Sequence, residues 1–422
     1  MNINEAQRVI TDAVGRMGPG ALSEEALVQH IHPLFSRVLA RNEKSSEIYL
    51  ANHSLGRPMD MVSDLVQGAL DGWYEQLDGV WNAWLDARDR YRAEIAAMLC
   101  WPDERAVVPK TSAAQGLRAV LNAVPVQMPS IVSTECEFDS IDFVLKAYHD
   151  KERAFVRWVK PDKNGLMQPE TIIKAISSNT DVVVLSAVCF ATGQVVQSLK
   201  EIIDEAHEKG AIVVLDAYHA FGVLPLDFAA LGADFIIGGN YKYTRGGAGA
   251  CYLAVHPRHL DSSGGQSAPD SISPIDTGWF AKREPFSYKR SGNSLFAPGG
   301  DAWLEATPPV LTYYQALPGL MLTNTIGVDR LRAYSRTQQK LLADQLEANG
   351  VTPLLLKNRG AYILIEHHDG REAVNRLKAS GINADARPLP GTDRWVVRLC
   401  PDLLNTNAEL EESARRIAKA LA

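Results

Sequence analysis

Short apolar runs and stretches of helical spacing follow one another along most of this chain. The apolar runs predict strands at Ala106–Val108, Ile131–Ser133, Ala154–Val159, Val182–Val188, Ala211–Leu215, Phe235–Ile237 and Cys251–Val255. Helical patterns separate most of these runs, as in Ala113–Val124, Pro169–Ser177 and Leu199–Lys209. Strands that alternate with helices predict an α/β fold, in which helices cover both faces of a mostly parallel sheet.

The patterns on either side of this region are different. Residues 1–45 are polar to amphipathic and predict short helices, and further helices are predicted from Pro58 to about Leu77 and from Trp81 to about Leu99. The stretch Asp261–Gly300 is rich in Ser, Gly and Pro, which predicts irregular structure that lines a site or an interface. After it come a predicted helix at Ile326–Asn349, strands at Ala361–Glu366 and Trp395–Leu399, and a helix from about Ala408 to Leu421. We therefore predict an N-terminal helical segment (1–45), a large domain (46–305) and a small C-terminal α+β domain (306–422).

Composition narrows the class of protein. The 422 residues are 46% hydrophobic and 22% charged, as is typical of a soluble globular protein. The net charge of -7 argues against nucleic acid or an anionic membrane as the main partner, and no apolar run approaches the roughly 20 residues of a membrane span. The N-terminus does not resemble a signal peptide, and five scattered cysteines without a CxxC pair favour a reducing compartment. We expect a cytoplasmic protein that acts on a small molecule and has no metal site.

Two neighbouring predicted strands end at residues that can take part in chemistry. Asp216 and His219 follow the run Ala211–Leu215, and Tyr241 and Lys242 follow the next run and precede a glycine-rich turn. Open α/β sheets place their sites at the carboxyl ends of such strands. An aspartate there can hold a pyridinium nitrogen and a lysine can form a Schiff base. This pair therefore predicts pyridoxal 5'-phosphate (PLP) as the cofactor.

The sequence around these residues resembles kynureninases, within the class-V aminotransferase group of fold-type I PLP enzymes. The resemblance rests on DAYH from Asp216, YKY from Tyr241 and the GGAG sequence after it. It extends to YLANHSLG from Tyr49, WNAW from Trp81, KTSAA from Lys110, GWF from Gly278, TPP from Thr307 and RLCP from Arg398. The match thus covers about residues 49 to 401, and it implies the fold-type I architecture, with a large and a small domain.

The resemblance also implies which residues act in catalysis. Lys242 would form the Schiff base and move protons at the substrate, while Asp216 would keep the ring nitrogen protonated. Tyr241 would contact the cofactor phosphate and serve as an acid and base, and His219 would lie close to cofactor and substrate. Asp216 could instead be an ordinary helix cap, and His219 could be a buried structural histidine.

Further residues are implied to bind the cofactor. Thr111 and Ser112 precede a predicted helix, where hydroxyl and free N–H groups form a phosphate site, although a plain helix cap would use the same residues. Phe138 would stack on the cofactor ring, and Thr307 and Trp279 complete the implied set. In the family that tryptophan comes from the other subunit, so the resemblance predicts a homodimer in which Trp279 of the partner subunit reaches the phosphate.

A last group of residues is implied to bind the substrate. Arg398 matches the arginine that binds the α-carboxylate, and its planar guanidinium suits that pairing. The other implied substrate contacts are Asn52, His53, Ser54, Trp81 and Thr307. Two of these positions depart from the family pattern, because threonine replaces an asparagine at 307 and His53 makes the N-terminal loop one residue longer. A third departure lies elsewhere, since Ile141 falls where the family has an aspartate, although Asp139 and Asp142 are nearby.

The resemblance predicts a kynureninase-like hydrolase that cleaves the Cβ–Cγ bond of kynurenine or a related amino acid, giving an aromatic acid and alanine, as in tryptophan catabolism. The alternative is another class-V PLP enzyme: an aminotransferase, an epimerase or a cysteine desulfurase-like protein. A desulfurase needs a mobile nucleophilic cysteine, and none of the five cysteines lies in the loop after Lys242 where we would expect it. A non-catalytic protein with the PLP fold is a third alternative.

Overall fold

The computed structural model describes residues 1–261, 264–265, 271–287, 290 and 292–422. The helices are α1 (Ile3–Arg16), α2 (Glu24–His30), α3 (Ser36–Ser45), α4 (Met61–Gln76), α5 (Trp81–Leu99), α6 (Ala113–Ala123), α7 (Asp139–Asp150), α8 (Pro169–Ala175), α9 (Leu199–Glu208), α10 (Phe228–Leu231), α11 (Leu311–Ile326), α12 (Val328–Ala348), α13 (Gly370–Ala379) and α14 (Asn407–Leu421). The strands are β1 (Ile48–Tyr49), β2 (Val107–Lys110), β3 (Ser130–Thr134), β4 (Phe155–Val159), β5 (Val182–Ser186), β6 (Ile212–Asp216), β7 (Phe235–Gly239), β8 (Cys251–Val255), β9 (Ile363–His367), β10 (Ile382–Asn383), β11 (Asp385–Pro388) and β12 (Trp395–Leu399).

A central sheet organises most of the chain. Within the described ranges it has seven strands in the order β2-β8-β7-β6-β5-β3-β4. The strands from β4 to β7 run parallel, while β8 is antiparallel to both of its neighbours. The core strands are buried on both faces, so they are continuous apolar runs such as VVVL in β5. The predicted α/β fold with a mostly parallel sheet is confirmed.

A smaller antiparallel sheet in the order β11-β12-β9 lies near the C-terminus. The short strand β1 pairs in parallel with β10, and Ile48 and Leu50 pack in the same apolar cluster as the small sheet. Half-buried Asp402 forms a second link, because it pairs with both Arg57 and Arg245. The chain before the central sheet is therefore held to the C-terminal region, and the boundaries at residues 45 and 305 stay predictions.

The structure moves the start of one predicted helix and adds the unpredicted helix α11, while most other predicted elements begin and end within two residues of the observed ones. The helix predicted from Pro58 begins at Met61, because Asp60 turns its carboxylate to the N–H groups of Ser36 and Arg37 at the start of α3. The helix predicted at Ile326–Asn349 is α12, and α11 ends just before it at Gly327, whose φ of +92° breaks the helical path.

The described parts of the predicted irregular stretch contain short 3-10 helices at Trp279–Ala281, Pro285–Ser287 and Gly299–Trp303 and an isolated antiparallel bridge between Lys282 and Phe296. Residues 262–263, 266–270, 288–289 and 291 of that stretch lie outside the described residues. Across the ranges that the structure describes, no helix is both long enough and apolar enough to cross a membrane.

Candidate active site

A cavity of about 230 Å³ lies at the carboxyl ends of β5, β6 and β7. Its lining includes half of the residues predicted for the site, namely Thr111, Ser112, Phe138, Asp216, His219, Tyr241 and Lys242. These residues come from separate parts of the chain, and the parallel strands bring them together because their carboxyl ends meet at one edge. The location predicted from the sequence for these residues agrees with this cavity.

Lys242 is buried at the centre of the group, with 4% of its surface exposed. Its Nζ lies 2.7 Å from Nε2 of His219, and Nδ1 of that histidine lies 2.8 Å from the Tyr243 hydroxyl. Nζ also lies 5.3 Å from the ring centroid of Phe138. Burial lowers the pKa of the lysine, and Asp216 only partly opposes this effect. The amine is thus closer to its neutral, nucleophilic form than a surface lysine is.

Asp216 ends β6 and faces the same cavity. Its carboxylate accepts a hydrogen bond of 2.8 Å from the Tyr218 N–H, which fixes its orientation. Burial raises the pKa of Asp216, against the lowering effects of that N–H and of Lys242. A buried carboxylate whose charge is only partly compensated favours a cationic partner, and a pyridinium N–H is such a partner.

A second buried carboxyl, Glu137, lies beside this group and was not predicted from the sequence. It accepts hydrogen bonds of 2.6 Å from both Thr134 and Ser186. Ser186 is paired with Asp216 in the register of β5 and β6, and both line the cavity. Burial raises the pKa of Glu137 to about 7, and nearby Asp216 adds to this rise.

The start of α6 forms the part of the cavity that suits a phosphate. Ser112 is the N-cap of this helix, and its hydroxyl accepts the N–H of Gln115. Thr111 donates its N–H and its hydroxyl to the side chain of Gln115, at 2.7 and 2.9 Å. The first N–H groups of a helix lack intrahelical partners, so they can bind an anion next to these hydroxyls.

Arg398 lies next to the cavity rather than in its lining. Its Nη1 donates to the carbonyl oxygen of Phe190, a residue that does line the cavity, at 2.5 Å. Its other edge is paired with Asp385, which also contacts His53. His53 was expected at the substrate, and the structure places its ring, fully buried, beside Asp385.

The remaining predicted residues lie in two other places. Asn52 lines a second cavity of about 60 Å³ that also reaches Lys242, and it donates to the carbonyl of Cys400, whereas Ser54 is half-buried in the following turn. Trp81 belongs to an aromatic cluster, in which its ring lies 6.3 Å from that of Trp279. Trp279 in turn donates its indole N–H to Thr307 at 3.3 Å, and none of these three residues lines the larger cavity.

Sequence reasoning missed several residues of the site. Ser186, Phe190 and Tyr218 line the cavity, and only Tyr218 had a signal, because it lies within the DAYH sequence. Glu137 precedes the predicted Phe138 but was not singled out. Asp385 had no local signal, because its position opposite Arg398 is set by the pairing of β11 with β12.

The side chains that line the cavity match the chemical groups of PLP. It combines a buried amine for the aldehyde, a buried carboxylate for the ring nitrogen, an aromatic ring for stacking and a helix start for the phosphate. With the mostly parallel sheet, this set defines a PLP-dependent enzyme of fold type I. The class-V aminotransferase family model matches residues 82–386, and the chain belongs to that family. The predicted cofactor, PLP, is confirmed.

Relatives of known name agree with this assignment. The chain is 26% identical to a kynureninase of Bacillus anthracis over 403 residues, which cover 90% of this chain and 89% of the relative. It is 26% identical to a kynureninase of Geobacillus thermodenitrificans over 389 residues, covering 86% of each chain. The similarity to kynureninases predicted from the sequence is therefore confirmed.

Solved structures support the fold. The chain is similar to a mutant of C-DES with glycine covalently linked to PLP, with a TM-score of 0.78, 18% identity and coverage of 91% of this chain and 98% of the other. It is also similar to the cysteine desulfurase CsdA of Escherichia coli, with a TM-score of 0.73, 16% identity and coverage of 92% and 98%. The predicted fold-type I architecture is confirmed by these likenesses.

Proposed function

We propose that this protein is a PLP-dependent hydrolase that cleaves the Cβ–Cγ bond of kynurenine or a closely related amino acid. The observation that carries the proposal is the similarity to kynureninases along about nine tenths of this chain and of the relatives' length. In the proposed reaction, water and the substrate give an aromatic carboxylic acid and alanine. The hydroxyl of the water goes to the acyl carbon, and a proton goes to the carbon that becomes the methyl group of alanine.

When bound, PLP supplies an aldehyde that takes up the substrate amino group and a ring that accepts negative charge from the α-carbon. Lys242 would hold the cofactor covalently until the substrate amino group replaces it there. The amine of Lys242 released in this exchange would then take the proton from the substrate α-carbon. Because burial lowers the pKa of Lys242, the neutral amine that this step needs is accessible near neutral pH. Asp216 holds the proton at the ring nitrogen.

His219 and Tyr241 act around this lysine in our proposal. Burial keeps the pKa of His219 well below its ordinary value, so its imidazole is neutral and can exchange hydrogen bonds with the Lys242 amine at 2.7 Å. Burial raises the pKa of Tyr241 to about 12, so its phenol keeps its proton at neutral pH and can act as a proton donor. Arg398 binds the α-carboxylate, and the aromatic cluster around Trp81 takes the aromatic part of the substrate.

The alternative of a cysteine desulfurase-like reaction has less support in the site. Cys251 lines the cavity, but its Sγ lies 2.8 Å from the Tyr218 hydroxyl, and burial raises the pKa of its thiol to about 11. A thiol of this kind is a poor source of the thiolate nucleophile. We also propose a homodimer, with Trp279 of the partner subunit near the cofactor phosphate, as the resemblance implies.

The test is the release of fluorescent anthranilate after PLP-loaded protein is mixed with L-kynurenine. We expect release by the wild type and by Lys174→Ala, a change at an exposed lysine of α8. Lys242→Ala should abolish it. Protein that shows the visible absorbance of bound PLP but releases no anthranilate would overturn the proposed substrate and favour another class-V reaction.

A further inference from the structure

We infer that Asp385, held in place by His53, positions Arg398 so that the remaining donors of its guanidinium can bind a substrate α-carboxylate. The inference rests on the proposed function, in which Arg398 binds that carboxylate. It assigns a role to an aspartate that sequence reasoning did not find, and to the residue that makes the N-terminal loop longer than the family pattern.

The pairing of two strands brings Asp385 to Arg398. The two residues are direct partners in the antiparallel register of β11 and β12. Nε of the arginine donates to Oδ1 at 2.7 Å and Nη2 donates to Oδ2 at 2.5 Å, so the carboxylate occupies one complete edge of the guanidinium. Such a bidentate pair fixes the plane of the guanidinium as well as its position.

The third contact of Arg398 determines which donors remain. Nη1 gives one N–H to the carbonyl of Phe190 at 2.5 Å, and Phe190 lines the cofactor cavity. Arginine has five N–H donors, of which the contacts with Asp385 and Phe190 use three. The Tyr362 hydroxyl also hydrogen-bonds to Arg398, so a substrate carboxylate would take the remaining donors beside this hydroxyl or in its place. Since Arg398 is 2% exposed, its guanidinium is available only from inside the molecule.

His53 holds the carboxylate of Asp385 from the other side. Its ring is fully buried and packs against Tyr362 at a centroid distance of 4.8 Å. Nε2 lies 2.8 Å from Oδ1 of Asp385. Burial lowers the pKa of His53 to about 4, so the imidazole is neutral near pH 7. Its Nε2–H group then donates a hydrogen bond to the Asp385 carboxylate.

The charged groups around Asp385 favour the binding of a further anion. Its carboxylate is shared by Arg398 and Arg387, whose Nη2 lies 3.3 Å from Oδ2. Burial opposes ionisation of Asp385, but His53 and Arg398 together hold its pKa well below its usual range. Two guanidinium groups thus share one carboxylate, so this cluster by itself attracts a further carboxylate.

A competing interpretation is that Asp385 only blocks Arg398 until substrate displaces it. The two interpretations predict opposite effects of Asp385→Asn on the affinity for a carboxylate. If the aspartate blocks the arginine, the change should strengthen carboxylate binding. If it positions the arginine, binding should weaken, because an asparagine offers one acceptor oxygen and turns an N–H₂ group toward the guanidinium donors.

The experiment compares two amines that differ in their carboxylate. The affinities of PLP-loaded protein for L-alanine and for ethylamine are measured from the absorbance change of the bound cofactor. We expect the wild type to prefer L-alanine and Asp385→Asn to reduce this preference by about ten- to a hundredfold, as for loss of a charge-assisted contact. The affinity for PLP itself should stay unchanged. The matched control is Glu366→Gln on β9, which removes an exposed ion pair with Arg394, the residue just before β12, and should keep the preference.

Two variants of His53 test the inference independently of Asp385→Asn. His53→Gln keeps an N–H donor for Asp385 and should retain most of the preference for L-alanine, whereas His53→Leu should lose part of it. A wild type without any preference would overturn the role of Arg398, and with it both the proposed function and the inference. A wild type with the preference, and variants that keep or increase it while binding PLP normally, would overturn the inference alone. If Asp385→Asn does not take up PLP, the test relies on the two histidine variants. An equal preference for L-alanine in His53→Gln and His53→Leu would then overturn the inference.

Discussion

Replacement of Glu137 by glutamine should remove a pH-dependent cost of folding. The Glu137 carboxyl is 5% exposed, and its hydrogen-bond partners are the hydroxyls of Thr134 and Ser186. Glutamine has nearly the same shape, and its amide can satisfy both hydroxyls, one as an acceptor and one as a donor. The main physical change is therefore that position 137 can no longer ionise.

The size of the effect follows from the pKa of the buried carboxyl. Burial raises the pKa of Glu137 from its ordinary value of 4.5 to about 7. In the unfolded chain the group ionises near pH 4.5, whereas in the folded protein it keeps its proton to about pH 7. The folded state thus binds more protons between these values, and the free energy of unfolding falls as pH rises through this window. At about 1.4 kcal/mol for each pH unit between the two pKa values, the loss amounts to about 3 kcal/mol above pH 7.

The assay is urea unfolding of the cofactor-free protein at pH 5 and at pH 8. Glu137→Gln should differ little from the wild type at pH 5 and should be more stable by about 3 kcal/mol at pH 8. Glu135→Gln is the control, because Glu135 is exposed two residues away on the same loop, and we expect no such gain. A stability difference for Glu137→Gln that is the same at both pH values would refute the reasoning, since it would mean that the carboxyl ionises equally in both states.

Two further changes test how the chain packs around the site. Gly56→Ala should lower both stability and PLP affinity, because an added Cβ would lie 2.0 Å from the carbonyl oxygen of Lys242; overpacking of this kind costs about 1–3 kcal/mol. Gly15→Ala, whose Cβ would have no neighbour within 4 Å, should change stability by less than about 1 kcal/mol in the same urea titration, and an equal loss in both variants would contradict the argument. Asp402→Asn should cost about 3–5 kcal/mol in unfolding free energy, because it leaves two buried arginines without their carboxylate, and a loss below about 1 kcal/mol would show that these pairs contribute little.

The sequence was sufficient wherever a local pattern carries the physical signal. Strands such as Cys251–Val255 are apolar runs of the right length, and helices such as Trp81–Leu99 carry apolar residues at helical spacing, so both were predicted with the observed bounds. The positions of Asp216 and Lys242 were predicted in the same way, because Asp216 ends the buried strand β6 and Lys242 comes three residues after the buried strand β7. Their meeting in one cavity follows from the parallel sheet.

Local patterns failed where packing decides the structure. Helix α11 is buried on nearly all sides and has no polar face, so its sequence lacks the alternation by which a helix is recognised. It also contains Pro318 and Gly319, which argue against a helix in isolation. Tertiary contact explains the glycine, since a Cβ there would lie 1.8 Å from the carbonyl oxygen of Thr244, in the turn after Lys242.

The sequence by itself therefore determined the class of fold and the cofactor, and it predicted Asp216 and Lys242 as two residues that hold it, because these depend on short-range order along the chain. Only the tertiary structure decided what surrounds them. Glu137 accepts a hydrogen bond from Ser186, whose register partner on the neighbouring strand is Asp216, and strand pairing brings Asp385 to Arg398, 13 residues away in the chain. Charges brought together in this way shift one another's pKa values, and their partners are set by packing rather than by spacing in the sequence.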